Sequence, residues 1–151
     1  MSVTDRAARA LDKRLHPQAE TPRPPKGWIR AIRDALGMTT RQYAVRLGVH
    51  PSRIGALERG EVDETVTLGS LRRAAEALNC RLVYTLVPNE PLTTMLRRQA
   101  EKKADEQLQR VGHSMRLENQ ELTVADHRRQ QELLIDQFLR GNLRRLWDET
   151  A

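Results

Sequence analysis

Apolar residues recur along most of this chain at three- and four-residue spacings, the period of an amphipathic helix. The first such stretch, 3–15, carries Leu11 and Leu15, with Thr4 as its expected cap. From Trp28 the pattern becomes dense. Trp28, Ile32, Ala35 and Leu36 share one predicted helix face, and Gly37 closes it. Thr39 and Gln42 read as a capping box ahead of Tyr43, Ala44 and Leu47, with Gly48 as the break. Pro51 opens the next helix, Ile54 and Leu57 form its apolar pair, and Gly60 is expected to end it. Thr67 then caps a stripe of Leu68, Leu71, Ala75 and Leu78. Beyond Pro91 a long stripe runs from Leu92 through Ala100, Ala104 and Leu108 to Met115. A further helix starts at Thr123 and carries Leu134, Ile135, Phe138, Leu139, Leu143, Leu146 and Trp147 to the end of the pattern. The last two predict a helical hairpin, or an arm that packs on a partner.

Two stretches break the helical period. Residues 16–27 hold four prolines and predict an extended linker or wrapping arm. Residues 80–88, "CRLVYTLVP", are β-branched and aliphatic and predict a strand. No second strand pattern occurs in the chain, and a lone strand leaves backbone groups unpaired. Pairing with the same strand of a second copy across a two-fold axis answers this, so strand 80–87 predicts a homodimer. The alternative is a short extended cap lying on the helices.

The expected fold is therefore mainly α, with domains at 1–27 (helix and proline-rich linker), 28–79 (compact helical domain), 80–88 (dimerising strand) and 89–151 (helical region). Composition agrees: 30% of residues are charged and 3% aromatic, which suits an aliphatic helical core with a wet surface. Residues 1–90 hold 15 basic and 10 acidic residues, against 11 and 10 in 91–151. The basic excess thus sits in the front half and favours a polyanionic partner there. Cys80 is the single cysteine, which excludes an internal disulfide and fits a reducing compartment. No apolar run approaches the length of a membrane span, and a cytoplasmic protein with no membrane association is expected.

Residues 39–60, "TTRQYAVRLGVHPSRIGALERG", resemble the Cro/repressor-type, or Xre, helix-turn-helix family. Ala44 stands where that family needs a small residue for a close helix crossing. Gly48 is its turn glycine, Ile54 its buried recognition-helix residue, and "LERG" its usual exit. The resemblance implies that 51–59 enters the major groove of a double-stranded DNA operator. By position, Pro51, Ser52 and Ala56 fall at base edges, and Arg53 is placed to reach a guanine or a phosphate. Thr40 falls where the family often holds a phosphate with glutamine. Arg41, Arg46 and Arg59 are expected phosphate contacts, and His50 is expected near backbone or base.

A broader resemblance, from Leu11 to about Leu146, is to the bacterial family called mobile mystery protein A. It is carried by "PPKGWIRAIRDALGMTTRQYAVRLGV", "TLGSLRRAAEALNCRLVYTLVP" and "HSMRLENQ". Members are typically encoded beside a Fic-domain protein, which implies an antitoxin-like pair. Fic proteins transfer AMP from ATP to protein hydroxyls, and their inhibitors carry a helix with the pattern [S/T]-x-x-x-E-[G/N]. Ser114, Glu118 and Asn119 match it. The resemblance implies that Glu118 pairs with the Fic arginine that otherwise holds the ATP γ-phosphate, through a charge-assisted bidentate contact. The alternative is a regulator whose C-terminal helices serve dimerisation or effector binding.

The residues offer little for catalysis. His16, His50, His113 and His127 lack metal-ligand spacing, and no phosphate-cradling loop is present. A non-enzymatic protein without cofactor or metal is expected.

Overall fold

The computed structural model describes residues 3–15, 21–117 and 123–149. Seven α-helices occur among them: α1 Val3–Arg14, α2 Trp28–Ala35, α3 Thr40–Leu47, α4 Ser52–Val62, α5 Leu68–Ala77, α6 Leu92–Leu117 and α7 Val124–Arg140. A 3-10 helix follows at Leu143–Trp147. The chain divides into two compact units. One is Ala19–Thr85, and the other joins Met1–Gln18 to Leu86–Ala151. The second unit is thus assembled from both sides of the first in sequence.

In Ala19–Thr85, helices α2 to α5 enclose Ile29, Tyr43, Ala44, Ile54, Ala74 and Leu78. Ala44 is buried where α3 packs on α4, so the missing bulk at this position lets the two helices approach. Thr39 accepts from the Gln42 amide at 3.1 Å and the Gln42 side chain accepts from the Thr39 amide at 2.9 Å, which completes the expected capping box. Gly48 ends α3 in the left-handed region at φ 75°, a conformation that costs glycine nothing.

The start of α2 is closed from far away in sequence. Glu61 of α4 accepts from the amides of Trp28 at 2.7 Å and Ile29 at 2.9 Å. Its carboxylate supplies acceptors for two of the four amides that a helix start leaves unpaired, and its charge suits the helix dipole. A Cβ on Gly27 would lie 2.8 Å from Glu61 Oε1, and Gly27 has φ 88°, so a side chain here is excluded twice over. Arg23 donates to the carbonyl oxygens of Glu61 at 2.9 Å and Val62 at 3.2 Å. The end of the proline-rich segment is therefore tied to the last turn of α4.

Several expectations are corrected here. The inward face of α2 is Ile29, Ile32 and Arg33, while Trp28 and Leu36 are exposed. The stripe of α5 buries Ala74 and Leu78, and Leu68 is exposed. Gly60 does not end α4, which runs on to Val62 before Thr65 and Val66 bond back to the Gly60 carbonyl. Thr4 lies inside α1 and not ahead of it. No β-strand occurs among the described residues, and the expected strand 80–88 has no regular secondary structure. A strand is defined by a ladder to a second strand, and none occurs among the described residues to form one.

In the other unit α6 and α7 pack on each other as a hairpin, around Ala100, Ala104, Ile135, Leu143 and Leu146, with Leu96, Leu134, Phe138 and Leu139 at the margin. Ala100 and Ala104 are wholly buried, so α7 rests on a smooth stretch of α6. Helix α1 also packs on α6. There Asp12 accepts from the Leu92 amide at 2.6 Å, the Thr93 amide at 3.1 Å and the Thr93 hydroxyl at 3.0 Å. Partial desolvation raises its carboxyl pKa, but these donors outweigh it and hold the group below its ordinary value. Helix α7 stops at Arg140, earlier than its apolar pattern predicts. Gly141 turns extended, and Asn142 Oδ1 accepts from the Arg144 amide at 3.1 Å to start the 3-10 turn. Leu143 and Leu146 thereby return to the core, and Gln99 of α6 donates to the Leu146 carbonyl at 2.5 Å. Trp147 ends exposed. Among the described residues no helix is long and apolar enough to cross a membrane.

Candidate nucleic-acid interface

Helix α4 carries one buried and one open face. Ile54 and Glu58 point inward, and Ser52, Arg53, Ala56 and Arg59 are exposed on the other side. The inward side is locked by charge. Arg33 Nε donates to Glu58 Oε1 at 2.6 Å and Nη2 to Oε2 at 3.3 Å, and both side chains are nearly enclosed. Arg33 Nη1 also donates to the Met38 carbonyl at 3.0 Å. Hydrogen bonding to Glu58 keeps the guanidinium pKa above its ordinary value despite burial. A planar fork on a carboxylate fixes direction as well as distance, so α2 sets the rotation of α4. Beside this pair, burial pushes the Tyr43 phenol up to about 12, with the Glu58 charge adding to it. The neutral hydroxyl donates to the Ala74 carbonyl at 2.8 Å and ties α3 to α5.

The expected contact residues fall into distinct roles. Ser52, Arg53, Ala56 and Arg59 share the open side of α4. Thr40 and Arg41 are exposed in the first turn of α3. His50 acts within the protein: Nδ1 accepts from the Ser52 amide at 3.2 Å and lies 2.8 Å from the Ser52 hydroxyl, so the ring closes the start of α4. Arg46 is exposed, but its Nε donates to the Ala77 carbonyl at 2.8 Å near the end of α5. Glu118 and Asn119 lie outside the described residues. Ser114 falls on the α6 backbone, and its side chain is likewise outside the described part.

Residues not singled out from the sequence join this face. A hollow of about 610 Å³ opens between α4 and the first turns of α5, with Arg53 and Ser52 on one wall and Ser70 and Arg73 on the other. Thr67 caps α5 by accepting from the Ser70 amide at 3.1 Å. Arg73 Nη2 donates to the Ser70 hydroxyl at 3.4 Å, which places a second cation across the hollow from Arg53. The doubled arginine at 72–73 was the available signal. Among the described residues no cluster of His, Cys, Asp and Glu is arranged to hold a metal.

The open side of α4 presents small residues at the front, exposed cations beside them and a rigid mount behind. Comparison with known proteins agrees for this part of the chain. Residues 29–84 match the family model described as Helix-turn-helix. No curated protein and no solved structure matches the chain. Residues 29–84 are a helix-turn-helix domain of the Xre type, the kind of domain carried by DNA-binding transcription regulators, which are generally not enzymes.

Proposed function

We propose that this protein is a transcriptional repressor that binds an operator through α4 and also restrains a Fic-domain adenylyltransferase. The observation that carries the DNA half is the open side of α4, held in one orientation by the buried Arg33–Glu58 pair. Ser52, Arg53, Ala56 and Arg59 then face the major groove, with Thr40 and Arg41 near the flanking phosphates. The test is anisotropy titration of duplexes from the protein's own upstream region at several salt concentrations. Binding should fall steeply with salt, and Arg53→Ala should weaken it and flatten the slope by about one unit if it holds a phosphate. Salt-independent binding, or none, would remove this half of the proposal.

A two-fold operator calls for two copies. Val83 is 75% exposed and Tyr84 64% exposed, beside a groove of about 420 Å³ lined by Trp28, Ile32, Leu71 and Leu82. Pairing of segment 80–87 with its counterpart in a second copy would cover these side chains. Light scattering on the purified protein should give a dimer, and Tyr84→Asp a monomer that still folds.

The antitoxin half rests on the resemblance of residues 11–146 to the mobile mystery protein A family. In this reading Ser114, Glu118 and Asn119 approach the Fic active site, and Glu118 occupies the arginine needed to position ATP. Because positioning supplies most of phosphoryl-type catalysis, one misplaced contact suffices. AMP transfer by the Fic protein encoded alongside should stop on adding wild type and persist with Glu118→Gly. Transfer unaffected by wild type would leave the regulator alone.

A further inference from the structure

Gly55 has no evident reason to be glycine. It lies inside α4, with no left-handed φ, where glycine costs stability relative to alanine. Beyond the helix's own backbone, the three atoms nearest a Cβ built there all belong to Arg59: Nη1 at 3.2 Å, and Cζ and Nη2 at 3.9 Å. The guanidinium of Arg59 therefore folds back one turn and lies over the bare backbone of Gly55. Side chains on a helix lean toward its N-terminus, and residues four apart share a face, so the direction is natural; the seat is what glycine supplies. Among the described residues the Arg59 guanidinium has neither an ion pair nor a hydrogen bond, so no polar partner within the protein holds it there. The positions that read base edges in this kind of domain are poor here, since Pro51 and Ala56 offer no side-chain donor.

We infer that Arg59, seated on Gly55, is a specificity-determining residue that reads a base edge from the front of α4, and that it does more than hold a phosphate. A guanidinium drawn back along the helix moves from its last turns toward Ser52, which shares a face with Gly55 at the i, i+3 spacing. There its planar fork suits the O6 and N7 acceptors of guanine. The inference rests on the DNA-binding reading above, and its experiment separates the two.

Wild type is first selected against a pool of randomised duplexes. Binding constants to the preferred duplex and its single-base variants are then measured for wild type, Arg59→Ala, Arg59→Lys, Gly55→Ala and Gly55→Ala/Arg59→Ala. Arg59→Ala should lose about tenfold or more on the preferred duplex and lose discrimination at one base pair. Arg59→Lys should not restore that discrimination. Gly55→Ala should melt at a higher temperature than wild type yet relax the same base pair, and it should add nothing in the Arg59→Ala background. Loss spread evenly over all duplexes, with a salt slope reduced by about one, would make Arg59 a phosphate contact and overturn the inference. So would a Gly55→Ala protein with wild-type discrimination. Failure of wild type to select any duplex would remove the DNA-binding reading, and this inference with it.

Discussion

A buried ion pair is costly to assemble and more costly to break. Arg33 and Glu58 are each almost enclosed, and Arg33 also donates to the Met38 carbonyl and pairs with exposed Asp34 at 3.3 Å. Glu58→Ala should therefore destabilise by about 3–5 kcal/mol, because it takes the enclosed carboxylate away from a nearly buried guanidinium. Arg33→Met combined with Glu58→Leu should recover most of that loss. Urea unfolding followed by circular dichroism checks both. If the double variant recovers stability but binds DNA less well, the pair's contribution lies in fixing the rotation of α4. Half of this arrangement was legible in the sequence. The "LERG" signature placed Glu58 on α4, but the 25 residues separating it from Arg33 hide the partner. An arginine in an eight-residue helix reads as surface, and that same shortness let Trp28 stand in for Ile29 on the inward face.

At the scale of elements, caps were the most legible feature and pairings the least. Thr39, Thr67 and Thr123 each accept from the amide three residues on, as short-range chemistry predicts. The break after Arg140 was also written locally, in Gly141 and Asn142, but the apolar pattern ran through it and masked the turn. The segment at 80–88 failed for a different reason, since β-branched composition can only request a partner. His50 shows a cap that residue preference does not announce, because a ring does the work usually given to a hydroxyl or carboxamide. His50→Ala should cost about 1 kcal/mol and His50→Asn less, read from the denaturation midpoint. Asp12 gives the start of α6 a pH dependence. Its folded pKa is depressed, so its stabilisation is complete above the unfolded value near 3.8 and is lost as pH falls through the folded value. Wild type should exceed Asp12→Asn in stability at pH 6, and the gap should close on acidification below about pH 4. A gap that widens on acidification would reverse the assigned sign.

For the whole molecule, the order of elements along the chain carries a consequence that domain boundaries drawn from sequence do not. The unit Ala19–Thr85 holds its own core, its own caps and the Arg23 and Glu61 contacts that close α2 and α4. The other unit takes α1 from one side of it and α6 and α7 from the other, clamped where Asp12 meets Leu92 and Thr93. Cutting the chain should therefore have unequal effects. A fragment 19–85 retains every core residue of its unit and should unfold cooperatively, with Tyr43 and Ile54 still buried. A fragment 89–151 lacks α1, so it loses the acceptors at the first turn of α6 and the cover that α1 provides. It should be less helical than its share of the intact chain, and adding a peptide of residues 1–15 should restore part of the signal. Circular dichroism on the two fragments, with and without the peptide, measures this directly. A fully helical and stable 89–151 alone would mean that the α6–α7 hairpin needs nothing from α1, and that the Asp12 clamp is an ornament of the fold and not a condition for it.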